Sequence, residues 1–225
     1  MNGTLPGYGT AVSKKFWMAI TGIILFAYVL VHMIGNLKLF QGPEKLNSYA
    51  EWLRQVGGPV LPPSGLLWIV RGVLLISVVI HTAAAFQLTV MNRQARRIGY
   101  VRFVPLASNY AARTMRWSGV IVLLFIVYHL LHLTWGTAHR DFRPGDVYHN
   151  VVSGFQNVWV SAAYVAAQLA LGFHLYHGLW SLFQSMGWNH MRFNRWRKIF
   201  AVSFTAIIAI GNLSLPIAVL LGVVS

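Results

Sequence analysis

Two stretches decide the reading of this chain: TGIILFAYVLVH at residues 21–32 and SGVIVLLFIVYH at residues 118–129. Each runs small residue, glycine, nine mostly apolar residues, histidine. An ionisable side chain deep in an apolar helix is costly and marks a functional device more often than not. Finding the same offset from a glycine twice points to a repeated one.

The rest of the composition sets the solvent. Of 225 residues, 56% are hydrophobic and 10% charged, with a mean hydropathy of +0.57. Soluble domains carry about 25% charged residues, so the chain reads as a membrane protein. Its 18 Lys and Arg against 4 Asp and Glu give a formal charge of +14. In a soluble protein that excess would point to nucleic acid. Beside long apolar runs it reads as the positive-inside bias instead, with no nucleic-acid partner. Cysteine is absent. That excludes thiolate-held iron–sulfur clusters, c-type haem attachment and disulfides, and leaves histidine as the obvious ligand. The opening MNGTLPGYGT lacks a basic n-region and a small-residue cleavage site, so the expectation is an uncleaved first span acting as its own signal.

Crossing the hydrocarbon core takes about 20 apolar residues. Five segments qualify, at roughly 16–39, 65–91, 115–136, 158–183 and 199–223. The fold class expected is an all-α membrane protein, one domain over 1–225, with its first four spans bundled. Pro216 predicts a kink in the fifth. Between the first two spans, residues 44–54 place Leu46, Tyr49, Trp52 and Leu53 on one helical face. This segment reads as a short surface helix or a solvated loop helix.

Loop charges orient the chain. Lys14 and Lys15 precede the first span. Arg93, Arg96, Arg97, Arg102, Arg113 and Arg116 lie around the second connection, and Arg192, Arg195, Arg197 and Lys198 around the fourth, with no acid among them. Glu44, Glu51, Asp141 and Asp146 all fall on the other side. The N-terminus is therefore expected inside and the C-terminus outside. Tryptophans 17, 68, 117, 135, 159, 188 and 196 sit near span ends, as interfacial anchors do.

Six of the nine histidines lie in the first four spans: His32, His81, His129, His132, His174 and His177. His139, His149 and His190 read as surface residues. Depth sorts the six. His32 and His129 come late in outward-running spans. His81 and His174 come about 15 Å before the inner end of inward-running ones, at 1.5 Å per residue. Two layers of facing histidines in a four-helix bundle are a ligand set for two stacked haems b. The glycines near the span starts would let a flat macrocycle approach the backbone. His132 and His177 each follow a candidate by three residues and share its face. The glycine offset selects His129, and depth favours His174. His132 and His177 then remain as contacts for a haem edge, a propionate or a quinone.

At these residues the chain resembles the di-haem cytochrome b membrane anchor of succinate:menaquinone oxidoreductases and quinol:fumarate reductases. The resemblance rests on TG-x9-His in the first span, His32 with Asn36, SG-x9-His in the third, and FHLYHGLWSLF (residues 173–183) in the fourth. It implies His32 and His129 as ligands of the distal haem, and His81 and His174 as ligands of the proximal one. It also implies a bacterial inner membrane, a flavoprotein and an iron–sulfur subunit on the cytoplasmic face, and electron flow from succinate through two haems b to menaquinone. Lys14, Lys15, Arg116 and Arg192 are candidates for the proximal propionates, Lys38 and Arg71 for the distal ones, and Glu44 and Glu51 for proton carriers. Some fumarate reductase anchors carry a glutamate two residues before the last ligand. Here that residue is Gly172, which favours succinate oxidation over fumarate reduction. The rival readings are a fumarate reductase anchor, the b-type anchor of a hydrogenase or formate dehydrogenase, and a haem-free transporter or proton channel.

Overall fold

The structure is a computed structural model and describes residues 9–95, 107–188 and 190–225. The first eight residues and Arg96, Arg97 and Arg102 of the basic connection lie outside these. So do the side chains of residues 107–113. Every regular element among the described residues is helical. Five helices are long and apolar enough to cross a membrane. They belong to α1 (Ala11–Asn36), α3 (Gly65–Gln94), α4 (Ala107–His129), α6 (Val158–Ser185) and α7 (Asn194–Leu220). Helices α1, α4 and α7 start and stop several residues earlier than hydropathy suggests, whereas α3 and α6 start at the expected residue and run slightly further.

Local chemistry sets these ends. Thr10 caps α1 by accepting the Ser13 N–H at 3.1 Å. Asn157 caps α6 by accepting the N–H groups of Trp159 and Val160 at 3.0 and 3.4 Å. Both caps satisfy donors that the first helical turn leaves unpaired. Pro43 opens α2 (Pro43–Gln55), where its missing N–H costs nothing. This is the surface helix expected over 44–54. After α4 the chain widens into a π-turn over Leu130–Thr134. Helix α7 runs through Pro216, which is buried.

One element was not anticipated. The connection after α4 contains α5 (Val147–Gln156), capped by Asp146; the end of the molecule that carries it is labelled outer, and the end at the start of α1 inner. Asn47 of α2 joins the two outer helices. Its amide donates to Asp146 at 2.9 Å, and its carbonyl accepts from the Tyr148 N–H at 3.0 Å. Beneath them Leu39, Leu46, Val152, Phe155, Tyr164, Leu215 and Val219 form a closed apolar core. The outer end of the molecule is thus packed like a soluble domain.

Within the membrane the long helices pair. Helix α3 packs on α1, and α4 packs on α6. The buried stripe of α3 is Ser77, Ala84 and Leu88, with His81 between them at helical spacing. Helix α7 lies against both α6 and α1. There Met33 of α1 and Ile208 of α7 join Leu175 of α6 in a second apolar cluster. The fifth span is therefore an integral partner of the first and fourth. The seven tryptophans noted above are all exposed, at the level of the helix ends, where a lipid interface would receive them.

Candidate functional site

The structure brings the four histidines together in two couples. His81 of α3 faces His174 of α6 with ring centroids 6.2 Å apart. His32 of α1 faces His129 of α4 at 5.8 Å. A metal–nitrogen bond of about 2 Å on each side plus two ring radii puts opposed ligand imidazoles about 6 Å apart. Both couples meet that separation. They lie at two depths, about 15 Å apart along α1 if measured from Gly22 to His32 at helical rise. Among the described residues no cluster of three or more His, Asp or Glu could hold a bare metal ion. Two opposed imidazoles instead suit an iron whose other positions belong to a macrocycle. The donor set thus fits haem.

The inner couple is anchored by the quoted stretches themselves. His81 Nδ1 lies 3.2 Å from the Thr21 hydroxyl and 3.1 Å from the Met18 carbonyl. His174 Nδ1 lies 3.5 Å from the Ser118 hydroxyl. A Cβ on Gly22 would sit 3.4 Å from His81 Cε1, and one on Gly119 would sit 3.3 Å from His174 Cε1. What each glycine faces is therefore an imidazole, which amends the expectation that it clears a path for a macrocycle. Alanine would press on the ring, which would have to give by a few tenths of an ångström.

The outer couple is held differently. His32 stacks on Tyr28 of its own helix at 5.3 Å. His129 Nδ1 lies 3.3 Å from the hydroxyl of Tyr164 on α6. The same hydroxyl lies 3.0 Å from His132 Nδ1. His132 is one of the most buried side chains in the molecule. Its ring stacks on His139 at 4.8 Å, and His139 Nε2 donates to the Asn150 carbonyl at 2.8 Å. His149 contacts the Asp141 carboxylate at 2.7 Å. His139 and His149, expected as surface residues, instead tie the outer connection together. A cavity of about 310 Å³ opens beside this cluster, lined in part by His132, His139, Asp141, Trp159 and Val160.

The remaining candidates scatter. His177 touches only the neighbouring Tyr176 ring among the aromatic contacts and does not join the His81–His174 couple. Lys14 is buried near the inner end of α1, whereas Lys15, Arg116 and Arg192 are exposed. Lys38 lies over the Tyr49 ring at 5.1 Å and Arg71 over the Trp68 ring at 4.9 Å. Glu44 and Glu51 line a shallow outer cavity with Arg54. Sequence reasoning assigned no role to Tyr164, Thr21 or Ser118. A tyrosine inside a span reads as an anchor aromatic, but depth in neighbouring helices would have matched Thr21 to His81.

Residues 107–213, a little under half of the chain, match the model of the succinate dehydrogenase/fumarate reductase transmembrane subunit family. The matched segment spans α4 to α6 and most of α7, so it contains His129, Tyr164 and His174 and leaves His32 and His81 outside. Neither a curated protein nor a solved structure matches the chain.

Proposed function

We propose that the chain is the membrane anchor of a succinate:menaquinone oxidoreductase, holding two haems b and linking an iron–sulfur subunit on its inner face to menaquinone in the bilayer. The observation that carries this reading is the presence of two opposed histidine couples at two depths, with ring centroids 5.8 Å apart in one and 6.2 Å apart in the other. The family match over 107–213 supports the choice of enzyme and of soluble partners, the flavoprotein and iron–sulfur subunits.

When bound, the haems supply one-electron redox chemistry that no side chain of this protein offers. The chain's own residues hold and orient. His32 and His129 serve the outer, distal level and His81 and His174 the inner, proximal one. Nδ1 of His81, His129 and His174 is engaged with the protein, which leaves Nε2 of each for the iron. The basic inner surface suits an acidic face on the soluble partner. The outer cavity supports a quinone reading, because polar His132, His139 and Asp141 meet apolar Trp159 and Val160 there. At Gly172 no carboxylate is available in the membrane, which supports succinate oxidation as the working direction.

The test is purification of the intact complex from its own membrane. A flavoprotein and an iron–sulfur subunit co-purify, and succinate reduces a b-type haem signal. Co-purification with a hydrogenase or formate dehydrogenase subunit would overturn the assignment.

A further inference from the structure

The two quoted stretches extend backwards into a longer repeat. Residues 18–22 read MAITG and residues 115–119 read MRWSG. In the first copy the Thr21 hydroxyl donates to the Trp17 carbonyl at 2.7 Å, so its proton is spent within α1. Its lone pairs face His81 Nδ1, and the Met18 carbonyl beside it only accepts. Nδ1 of His81 therefore carries the proton, and Nε2 holds the lone pair. In the second copy the Ser118 hydroxyl donates to the Met115 carbonyl at 3.1 Å and faces His174 Nδ1. The backbone of Met115 is also a partner of His174. The same three elements recur: a methionine carbonyl, a hydroxyl three residues on, and a glycine against the ring.

We propose that Thr21 and Ser118 are positioning residues for the inner histidine couple, fixing the tautomer, ring orientation and donor strength of His81 and His174 from the neighbouring helices. Helices α1 and α4 then each serve both levels. Each holds an inner histidine that another helix carries, and ten residues beyond the glycine each carries an outer histidine of its own. A hydrogen bond accepted from Nδ1–H raises the basicity of the ligating nitrogen. Losing it weakens the ligand and favours the reduced iron. This inference rests on the two-haem reading above.

The test uses the intact complex with Thr21→Val, Thr21→Ser and Ser118→Ala, read by redox titration and low-temperature electron paramagnetic resonance. His81→Ala identifies which signal belongs to the inner level. Thr21→Val keeps the side-chain shape and puts a methyl group in place of the hydroxyl. The Met18 carbonyl still holds the ring, but Nδ1–H has one acceptor where it had two, which weakens the donor strength without releasing the ligand. Both haems are therefore expected to remain, with the inner midpoint potential moved positive, its resonance shifted, and the outer signal unchanged. Thr21→Ser restores the wild-type values. If Thr21→Val fails to assemble, Ser118→Ala on the other helix carries the same expectation. Unchanged inner potentials in Thr21→Val and Ser118→Ala, with two haems bound, would overturn the positioning role and leave the haem reading standing. A wild-type complex without haem would overturn both.

Discussion

Tyr164 of α6 and His132 of the π-turn after α4 share a 3.0 Å hydrogen bond at the outer end, where they are 5% and 2% exposed. The hydroxyl has one proton and two nitrogens to face. If His129 offers its Nδ1–H, the Tyr164 oxygen accepts it and the Tyr164 proton goes to His132. One side chain thereby links a candidate ligand to a histidine beside the outer cavity.

Tyr164→Phe removes this link without changing ring volume. It leaves His132 Nδ1 buried and unpaired, which costs about 1–3 kcal/mol in general. Interhelical bonds in membranes average about 0.6 kcal/mol, so a loss of about 1 kcal/mol is the reasonable figure. Unfolding of the detergent-solubilised complex measures it. The outer haem signal should shift and the inner one should not; an equal shift in both would contradict the placement of Tyr164.

The fifth helix offers a packing test. A Cβ on Gly211 of α7 would lie 2.9 Å from Cγ of Met33, which is buried on α1. Gly211→Ala overpacks this contact and should destabilise by about 1–3 kcal/mol. Met33→Ala makes room and is itself destabilising, but combined with Gly211→Ala the two costs should not add. Strict additivity in a double-mutant cycle would show that α1 and α7 do not meet here.

Acid should loosen the outer cap. The His149 N–H, the Asn47 amide and the nearby charges of His149 and Arg143 together hold the Asp146 carboxyl below its ordinary range. A carboxyl depressed in the folded state contributes stability that is present above its unfolded value and lost as pH falls through the folded one. Protection of the α2–α5 contact against hydrogen exchange should therefore decline below about pH 4. Asp146→Asn still caps α5 and should flatten this part of the profile. An unaltered acid response in Asp146→Asn would assign it to another group.

Much of this architecture was legible in the chain because the bilayer simplifies the problem. Apolar length marks the spans, and alternating direction converts residue number into depth, which is how His81 came to be matched with His174. The packing of α7 against α6 and α1 was not legible. Lipid-facing and helix-facing positions are equally apolar, so Ile208 carries no signal that its neighbour Ile207, which is exposed, lacks. Helix α5 was legible in principle. Asp146 precedes an apolar pattern at Val147, Val151, Val152 and Phe155, but the segment is too short to read as a span and merges with the start of the fourth one. The cradle around the inner histidines was half legible: the glycines stood out, and their neighbours Thr21 and Ser118 did not.

The central claim is that two opposed histidine couples each hold one haem. Pyridine haemochrome analysis of the purified complex with single ligand substitutions tests it most directly. Two haems b per chain are expected, with His32→Ala or His129→Ala removing the outer one and His81→Ala or His174→Ala removing the inner one. His132→Ala and His177→Ala should retain both. Loss of a haem in His132→Ala or His177→Ala, with its neighbour's variant still carrying two, would contradict the assignment.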